Sequence, residues 1–355
     1  MKRLASRRVL PTRGLRVAHG MTLVELMVGV VIGLFLMAVM GTIYVGSKTT
    51  FVAQETTSRL QENGRFALDT LSTDLRMSGF RGCIGQAGVA NFTNTLNTPT
   101  AVLNNYAEPV WGSHYSGGAW SPALAAPLDG LGVRTQGDVL VLRRPLGQGW
   151  ALTSEMADPN GALTFTPTTV FQKGDLLMVS DCSAGALLQA TNDTPGVAGS
   201  IQHVTGVAGV SPGVASNSLG HTYLQDASVW RVQTIVYYLA NSVRRPGQSA
   251  LWSYSTPSYG AAQSSELVTG VERLLVTYGV DTNGDTAADQ FRTADQVANW
   301  SQVVSARIEM LLVGTEDSVT TAPQPYIFDG TTTTPTDRRL RTVMSLAAVL
   351  RNTVP

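Results

Sequence analysis

The chain has 355 residues, enough for one large domain or two, and its 25 basic and 25 acidic residues give no formal net charge. Six of the basic residues lie in residues 1–20, which contain no acid, so the remainder of the chain carries a net charge of −6. A mildly acidic protein of this kind argues against nonspecific nucleic-acid binding, and the absence of a P-loop motif argues against an ATPase.

A long apolar segment follows the basic residues 1–20. From Met21 to Val45 the only charged residue is Glu25. A helix over 21–45 would be about 37 Å long at about 1.5 Å per residue, enough to cross a hydrocarbon core of about 30 Å. The positive charge before it predicts that residues 1–20 stay in the cytoplasm and that the rest is exported. Since a carboxylate costs roughly 2.5–3.5 kcal/mol at the centre of a bilayer, Glu25 is expected to have a partner.

The junction between these two segments resembles that of a known family. Gly20 followed by Met21-Thr22-Leu23-Val24-Glu25-Leu26 looks like the leader junction of type IV pilins and pseudopilins. The resemblance implies that a prepilin peptidase removes leader 1–20 between Gly20 and Met21 and methylates Met21. It also implies that Glu25 is the assembly residue, paired in the fibre with the α-amino group of a neighbouring subunit. The alternative is an ordinary signal anchor that tolerates a glutamate.

The helix is predicted to continue through residues 46–80 as an amphipathic segment. No proline interrupts the chain from residue 12 to residue 98. Ser78-Gly79-Phe80 is a predicted stop, with Gly79 as the left-handed cap. The expected buried stripe recurs at three- and four-residue steps and comprises Leu60, Gly64, Ala67, Leu71 and Leu75.

Residues 81–355 are predicted to form a β-rich head domain, which gives an α+β fold with the long helix packed on a mainly antiparallel sheet. Residues 81–135 and 192–220 are rich in loop-forming residues. Short apolar runs predict strands at 138–142, 176–179, 229–239, 251–254, 274–278, 306–313 and 342–350. The last of these alternates most clearly, with Met344, Leu346, Ala348 and Leu350 on one face.

Three blocks near the C-terminus extend the resemblance. They are Leu267–Leu274, the segment from Trp300 to Ile308, and Pro335–Arg341 together with Leu350-Arg351-Asn352. They look like the PilW-type minor pilin, and are also similar to the related J-type pseudopilin of type II secretion.

The PilW-type resemblance implies a non-enzymatic subunit that primes or caps the tip of a type IV pilus. Its implied partners are other minor pilins, the major pilin, the prepilin peptidase, the inner-membrane assembly platform and the membrane itself. Two alternatives stay open. One is a J-type pseudopilin, and the other is a membrane-anchored periplasmic binding protein or enzyme.

The two cysteines, Cys83 and Cys182, are a plausible disulfide in an oxidising periplasm. The alternative is a pair of buried thiols. The three histidines outside the leader, His114, His203 and His221, have no zinc-site spacing.

An acidic loop has the spacing of a calcium site. Asp281, Asn283, Asp285 and Asp289 stand at positions 1, 3, 5 and 9, and the backbone carbonyl of Ala287 stands at position 7. The loop departs from the EF-hand pattern at position 6, where Thr286 replaces glycine, and at position 12, where Arg292 replaces glutamate. We expect structural Ca²⁺, and the alternative is a solvated hairpin turn around Asn283-Gly284.

Two weaker patterns are interpreted structurally. Gly209-Val210-Ser211-Pro212-Gly213 fits G-x-S-x-G by letter, but Pro212 has no N–H to serve as an oxyanion donor. The paired basics Arg143-Arg144, Arg244-Arg245 and Arg338-Arg339 are predicted to be solvated strand ends.

Overall fold

The computed structural model describes residues 20–84, 91–256 and 263–353. The predicted leader therefore lies outside the described residues, except for Gly20. Helix α1 spans Leu23–Met77, 55 residues. By length and composition, it is long and apolar enough to cross a membrane. The helix ends at Met77, and Gly79 takes a left-handed φ of 76°, as the sequence predicts.

Seventeen β-strands and one short α-helix, besides 3-10 turns, follow within the described residues. The first nine are β1 (Phe92–Asn94), β2 (Val110–Ser116), β3 (Ala119–Ser121), β4 (Val139–Ala151), β5 (Leu163–Thr164), β6 (Leu176–Ser180), β7 (Gly185–Gln189), the helical turn α2 (Pro195–Ala198) and β8 (Ser200–Ile201). The second nine are β9 (Ser228–Asn241), β10 (Ser249–Ser255), β11 (Gln263–Thr269), β12 (Val271–Val280), β13 (Gln290–Arg292), β14 (Val303–Val313), β15 (Tyr326–Phe328), β16 (Thr331–Thr333) and β17 (Arg341–Val349).

The larger sheet is organised around β9. Among the described residues it has nine strands, in the order β1-β7-β6-β9-β4-β2-β3, with β10 and β11 added beside β9. One edge of β9 pairs with β4, while the other pairs first with β6 and then with β10. The three pairs made by β9 are antiparallel, and so is the β6–β7 pair. The short β1–β7 pair is parallel. The length of β9 thus allows one strand to join two groups of neighbours.

A second sheet of four antiparallel strands has the order β13-β12-β14-β17. The two sheets meet where the residues before β4 bridge β12. The amide of Asp138 donates to the Leu274 carbonyl at 2.9 Å, and the amide of Val276 donates to Asp138 Oδ2 at 2.8 Å. The buried carboxylate of Asp138 therefore replaces a backbone acceptor at the joint between the sheets.

The main core lies between the second part of α1 and both sheets. Leu60, Ala67, Leu71 and Leu75 are buried there against side chains of β4, β9, β12 and β14. A Cβ on Gly64 would overlap Met344 Sδ of β17, so glycine permits a close approach at this point. The α+β prediction is confirmed, and so is the predicted stripe.

The chain divides into two compact units, Met1–Val52 and Ala53–Pro355.

The structure differs from the sequence predictions in three places. The predicted loop 81–135 contains the β2–β3 hairpin, and the predicted loop 192–220 contains α2 and β8. Arg143-Arg144 is not a solvated strand end, because Arg143 is only 2% exposed and Arg144 is in an ion pair.

Candidate assembly helix and acidic loop

The start of α1 is a hydrogen-bonded cap built from Thr22 and Glu25. The amide of Glu25 donates to Thr22 Oγ1, and the Glu25 carboxylate accepts from the amide and the hydroxyl of Thr22, each at 3.2 Å. This reciprocal arrangement is a capping box, whose sequence signature is Ser or Thr followed three residues later by Glu or Gln. The sequence analysis assigned Glu25 to assembly alone and missed this local signal. Any test of Glu25 has to separate the two roles.

The apolar part of α1 is exposed in the single chain. From Met21 to Val45 every described residue is exposed except the half-buried Gly33. A Cβ on Gly29 or Gly33 would meet open space, so neither glycine has a neighbour there in this chain. An apolar surface of this length requires lipid or other protein chains to cover it.

The second part of α1 is held by a buried polar contact as well as by its apolar stripe. Asp74, which is 5% exposed, accepts a hydrogen bond from Tyr237 Oη at 2.5 Å and lies 2.8 Å from Arg144 Nε. Burial raises the pKa of Asp74, while Arg144 and Tyr237 act in the opposite direction. The signal in the sequence was an acid at a stripe position, seven residues after Ala67.

Two polar residues of the C-terminal blocks that resemble the pilin family, Arg341 and Asn352, form hydrogen bonds to other parts of the fold. Asn352 Nδ2 donates to the carbonyls of Arg76 and Ser78 at 3.1 Å, which satisfies acceptors at the end of α1. Arg341 Nε donates to Glu272 at 2.7 Å and Arg341 Nη1 donates to Asp337 at 2.5 Å. These bonds raise the pKa of Arg341, and they tie β17 to β12 and to the loop before β17.

The structure joins Cys83, just after α1, to Cys182 in the β6–β7 turn, with a Cα–Cα distance of 4.8 Å. Beside Cys182, Asp181 accepts a hydrogen bond from His221 Nε2 at 2.9 Å, and Ser183 Oγ lies 3.5 Å from that same nitrogen. A catalytic triad uses two different imidazole nitrogens for the serine and the carboxylate. This cluster therefore lacks the geometry of a hydrolase site.

The acidic loop connects β12 to β13 and is shaped by its own backbone. Asp281 accepts hydrogen bonds from the amides of Asn283, Gly284 and Thr286 at 2.7–3.1 Å. Desolvation acts to raise the pKa of Asp281, but these amides outweigh it and the pKa is lowered. Asp289 accepts from the amide and the hydroxyl of Thr282. Much of the carboxylate capacity is thus already used within the loop.

The same loop brings three of the predicted calcium ligands together. Asn283 Nδ2 lies 3.2 Å from both Asp285 Oδ2 and Asp289 Oδ1. Over the described part of the chain, however, no group of three or more His, Cys, Asp or Glu side chains is arranged to hold a metal ion. The predicted site needs the Asn283 side chain to turn its oxygen inwards and the Ala287 carbonyl to join it. Calcium binding stays a prediction.

We expect Ca²⁺ to raise the melting temperature of the wild-type protein and to have no such effect on the double variant Asp281→Ala, Asp285→Ala. The reason is that a ligand bound only by the folded state stabilises it by mass action. Differential scanning fluorimetry with and without a chelator measures the shift, and Asp317→Ala, at another exposed loop aspartate, is the control. A wild-type melting temperature that does not respond to Ca²⁺ rules out the site.

These features define a β-rich head domain carried on a helix whose N-terminal half is apolar and exposed. The comparison with protein families adds one finding: residues 236–352 match the family described as Type IV Pilus-assembly protein W. The match runs from within β9 to Asn352, and contains all three C-terminal blocks singled out above. No curated protein and no solved structure gave a match. The matched region relates this chain to type IV pilus assembly, and the family is one of assembly proteins rather than enzymes.

Proposed function

We propose that the chain is a minor pilin of a type IV pilus, of the PilW type, which primes or caps the tip of the fibre. It is cut between Gly20 and Met21 and methylated at Met21. Residues 21–45 hold it in the inner membrane, with the head domain in the periplasm, until it enters the fibre. Its partners are other minor pilins, the major pilin, the prepilin peptidase and the assembly platform. Twitching motility, adhesion and DNA uptake are roles of the completed pilus.

One observation carries this proposal. The region that matches the pilus-assembly family contains β12, β14 and β17, the strands that form the second sheet with β13. These strands contribute many of the core residues against which the stripe of α1 is buried, beside those from β4 and β9. The matched region therefore supplies a large part of the surface that receives the helix, and the helix begins with the pilin-like junction. A J-type pseudopilin would share that junction, but the match is to the pilus-assembly family.

Processing at Gly20 tests this proposal. We expect Gly20→Leu to accumulate as a precursor that keeps residues 1–20, because the resemblance places the peptidase cut directly after this glycine. The adjacent variant His19→Ala is the control and should be processed like the wild type. Immunoblotting of membranes and of sheared pili measures both forms. Removal of residues 1–20 from Gly20→Leu as from the wild type would contradict cleavage at this junction, and a wild type that itself keeps residues 1–20 would favour an uncleaved signal anchor and hence the periplasmic binding protein or enzyme.

A further inference from the structure

The joint between the two sheets contains a histidine–aspartate pair. Asp138 Oδ1 lies 2.7 Å from His114 Nδ1 of β2, and Asp138 Oδ2 accepts a hydrogen bond from the Val276 amide of β12 at 2.8 Å. The carboxylate is almost completely buried, since Asp138 is 3% exposed. One buried acid thus contacts a side chain of the large sheet through one oxygen and the backbone of the second sheet through the other.

The groups around this pair are acidic or neutral. Besides Asp138, His114 experiences the charges of Asp295, in the turn after β13, and of Asp329, in the β15–β16 turn. Tyr278 of β12 is close enough to Asp138 to be affected by its charge, but burial raises the pKa of this tyrosine well above its usual value, so it stays neutral. The His114 side chain is 25% exposed, so solvent can supply and remove its proton. Imidazole is the side chain that ordinarily changes charge near neutral pH.

The fold favours the protonated ring. The hydrogen bond to Asp138 raises the pKa of His114 above its usual 6.5, and this effect, together with the nearby acids, outweighs the burial that acts to lower it. Burial also raises the pKa of Asp138, against the effects of His114 and the Val276 amide. Because the pKa of His114 is higher in the folded state, its contribution to stability is complete below the unfolded-state value of about 6.5. That contribution is lost as the pH rises through the folded-state value.

We propose that His114 is a pH-sensitive latch between the two sheets of the head domain. When the ring is protonated, its charge offsets that of the buried Asp138 carboxylate, which in turn holds the Val276 amide of β12. A neutral ring can still donate one hydrogen bond, but it leaves the buried carboxylate without a compensating charge. The joint between the sheets therefore opens more readily at alkaline pH.

The melting temperature of the full-length protein in detergent tests the latch. His114→Gln keeps a donor beside Asp138 but carries no charge at any pH. We expect the wild type to melt above this variant at about pH 6, and this advantage to shrink by about 2–3 °C at about pH 8.5. Tyr115→Phe, at the next residue of β2, leaves His114 in place and should keep the wild-type pH dependence. A difference between wild type and His114→Gln that does not change with pH would overturn the proposal.

Hydrogen exchange of the wild-type protein measures the joint itself and covers the case in which His114→Gln fails to fold. Between about pH 6 and about pH 8.5, the Val276 amide should lose roughly tenfold more protection than the Val236 amide in the centre of β9, each relative to its intrinsic exchange rate. Val236 is a suitable reference because β9 is paired with β4 on one edge and β10 on the other at this point. An equal change in protection at the two amides would mean that the joint does not respond to His114, and would overturn the proposal.

Discussion

Asp74→Ala is expected to lower the free energy of unfolding by about 3 kcal/mol. The substitution leaves the Arg144 guanidinium without its acid and removes the acceptor of the Tyr237 hydroxyl group. Breaking a buried ion pair from one side typically costs about 3–5 kcal/mol. We place the effect at the lower end of this range because the Arg144 side chain is 22% exposed, so solvent partly compensates its charge. Denaturant unfolding followed by tryptophan fluorescence measures the change.

Two further variants make this result specific. Asp69→Ala removes an exposed carboxylate from the same helix and should change stability by no more than about 0.5 kcal/mol. The double variant Asp74→Leu, Arg144→Met replaces the ion pair with apolar side chains. It should recover much of the stability that Asp74→Ala loses. If Asp74→Ala costs no more than Asp69→Ala, then the pair does not help to hold α1 on the head domain.

Glu25→Ala is expected to be exported and cleaved normally but to enter pili at a level lower by roughly tenfold or more. In the proposed fibre this carboxylate neutralises the α-amino group of a neighbouring subunit inside an apolar core. Each loss of about 1.4 kcal/mol lowers the equilibrium constant for incorporation tenfold. Without Glu25 the neighbour's α-amino group is left unpaired inside the apolar core, which costs at least that much. Quantitative immunoblotting of sheared pili against the membrane pool measures the ratio.

The capping box makes Glu25→Gln the decisive companion variant. Glutamine preserves the reciprocal hydrogen bonds with Thr22 but carries no charge. If Glu25 acts by charge pairing, Glu25→Gln should be as defective as Glu25→Ala, and Glu62→Ala, at an exposed helical glutamate, should be normal. Full incorporation of Glu25→Gln would reduce the role of Glu25 to that of a helix cap.

The features that could be predicted from the sequence are those encoded by short-range periodicity. The three- and four-residue spacing from Leu60 to Leu75 predicted which face of α1 is buried, and Gly79 marked the end of the helix. The apolar runs predicted the central strands, although β4 extends to Ala151, well beyond its apolar run, because β9 continues to pair with it.

What could not be predicted depends on residues far apart in the chain. Asp74 meets its partners Arg144 and Tyr237 only after β4 and β9 have formed, so its burial has no local signature. Arg143 was expected to be solvated, since a paired basic sequence does not reveal that loop carbonyls will surround it. The capping box at Thr22 is different, because its spacing was visible and was overlooked in favour of the assembly role of Glu25.

The central claim is that this chain is processed as a pilin and built into a fibre. The most direct test is intact-mass and N-terminal mass spectrometry of the chain recovered from sheared pili. We expect a protein that begins at N-methylated Met21 and has lost residues 1–20. A chain that keeps residues 1–20, or one that stays in the membrane and never accompanies pili, would contradict it.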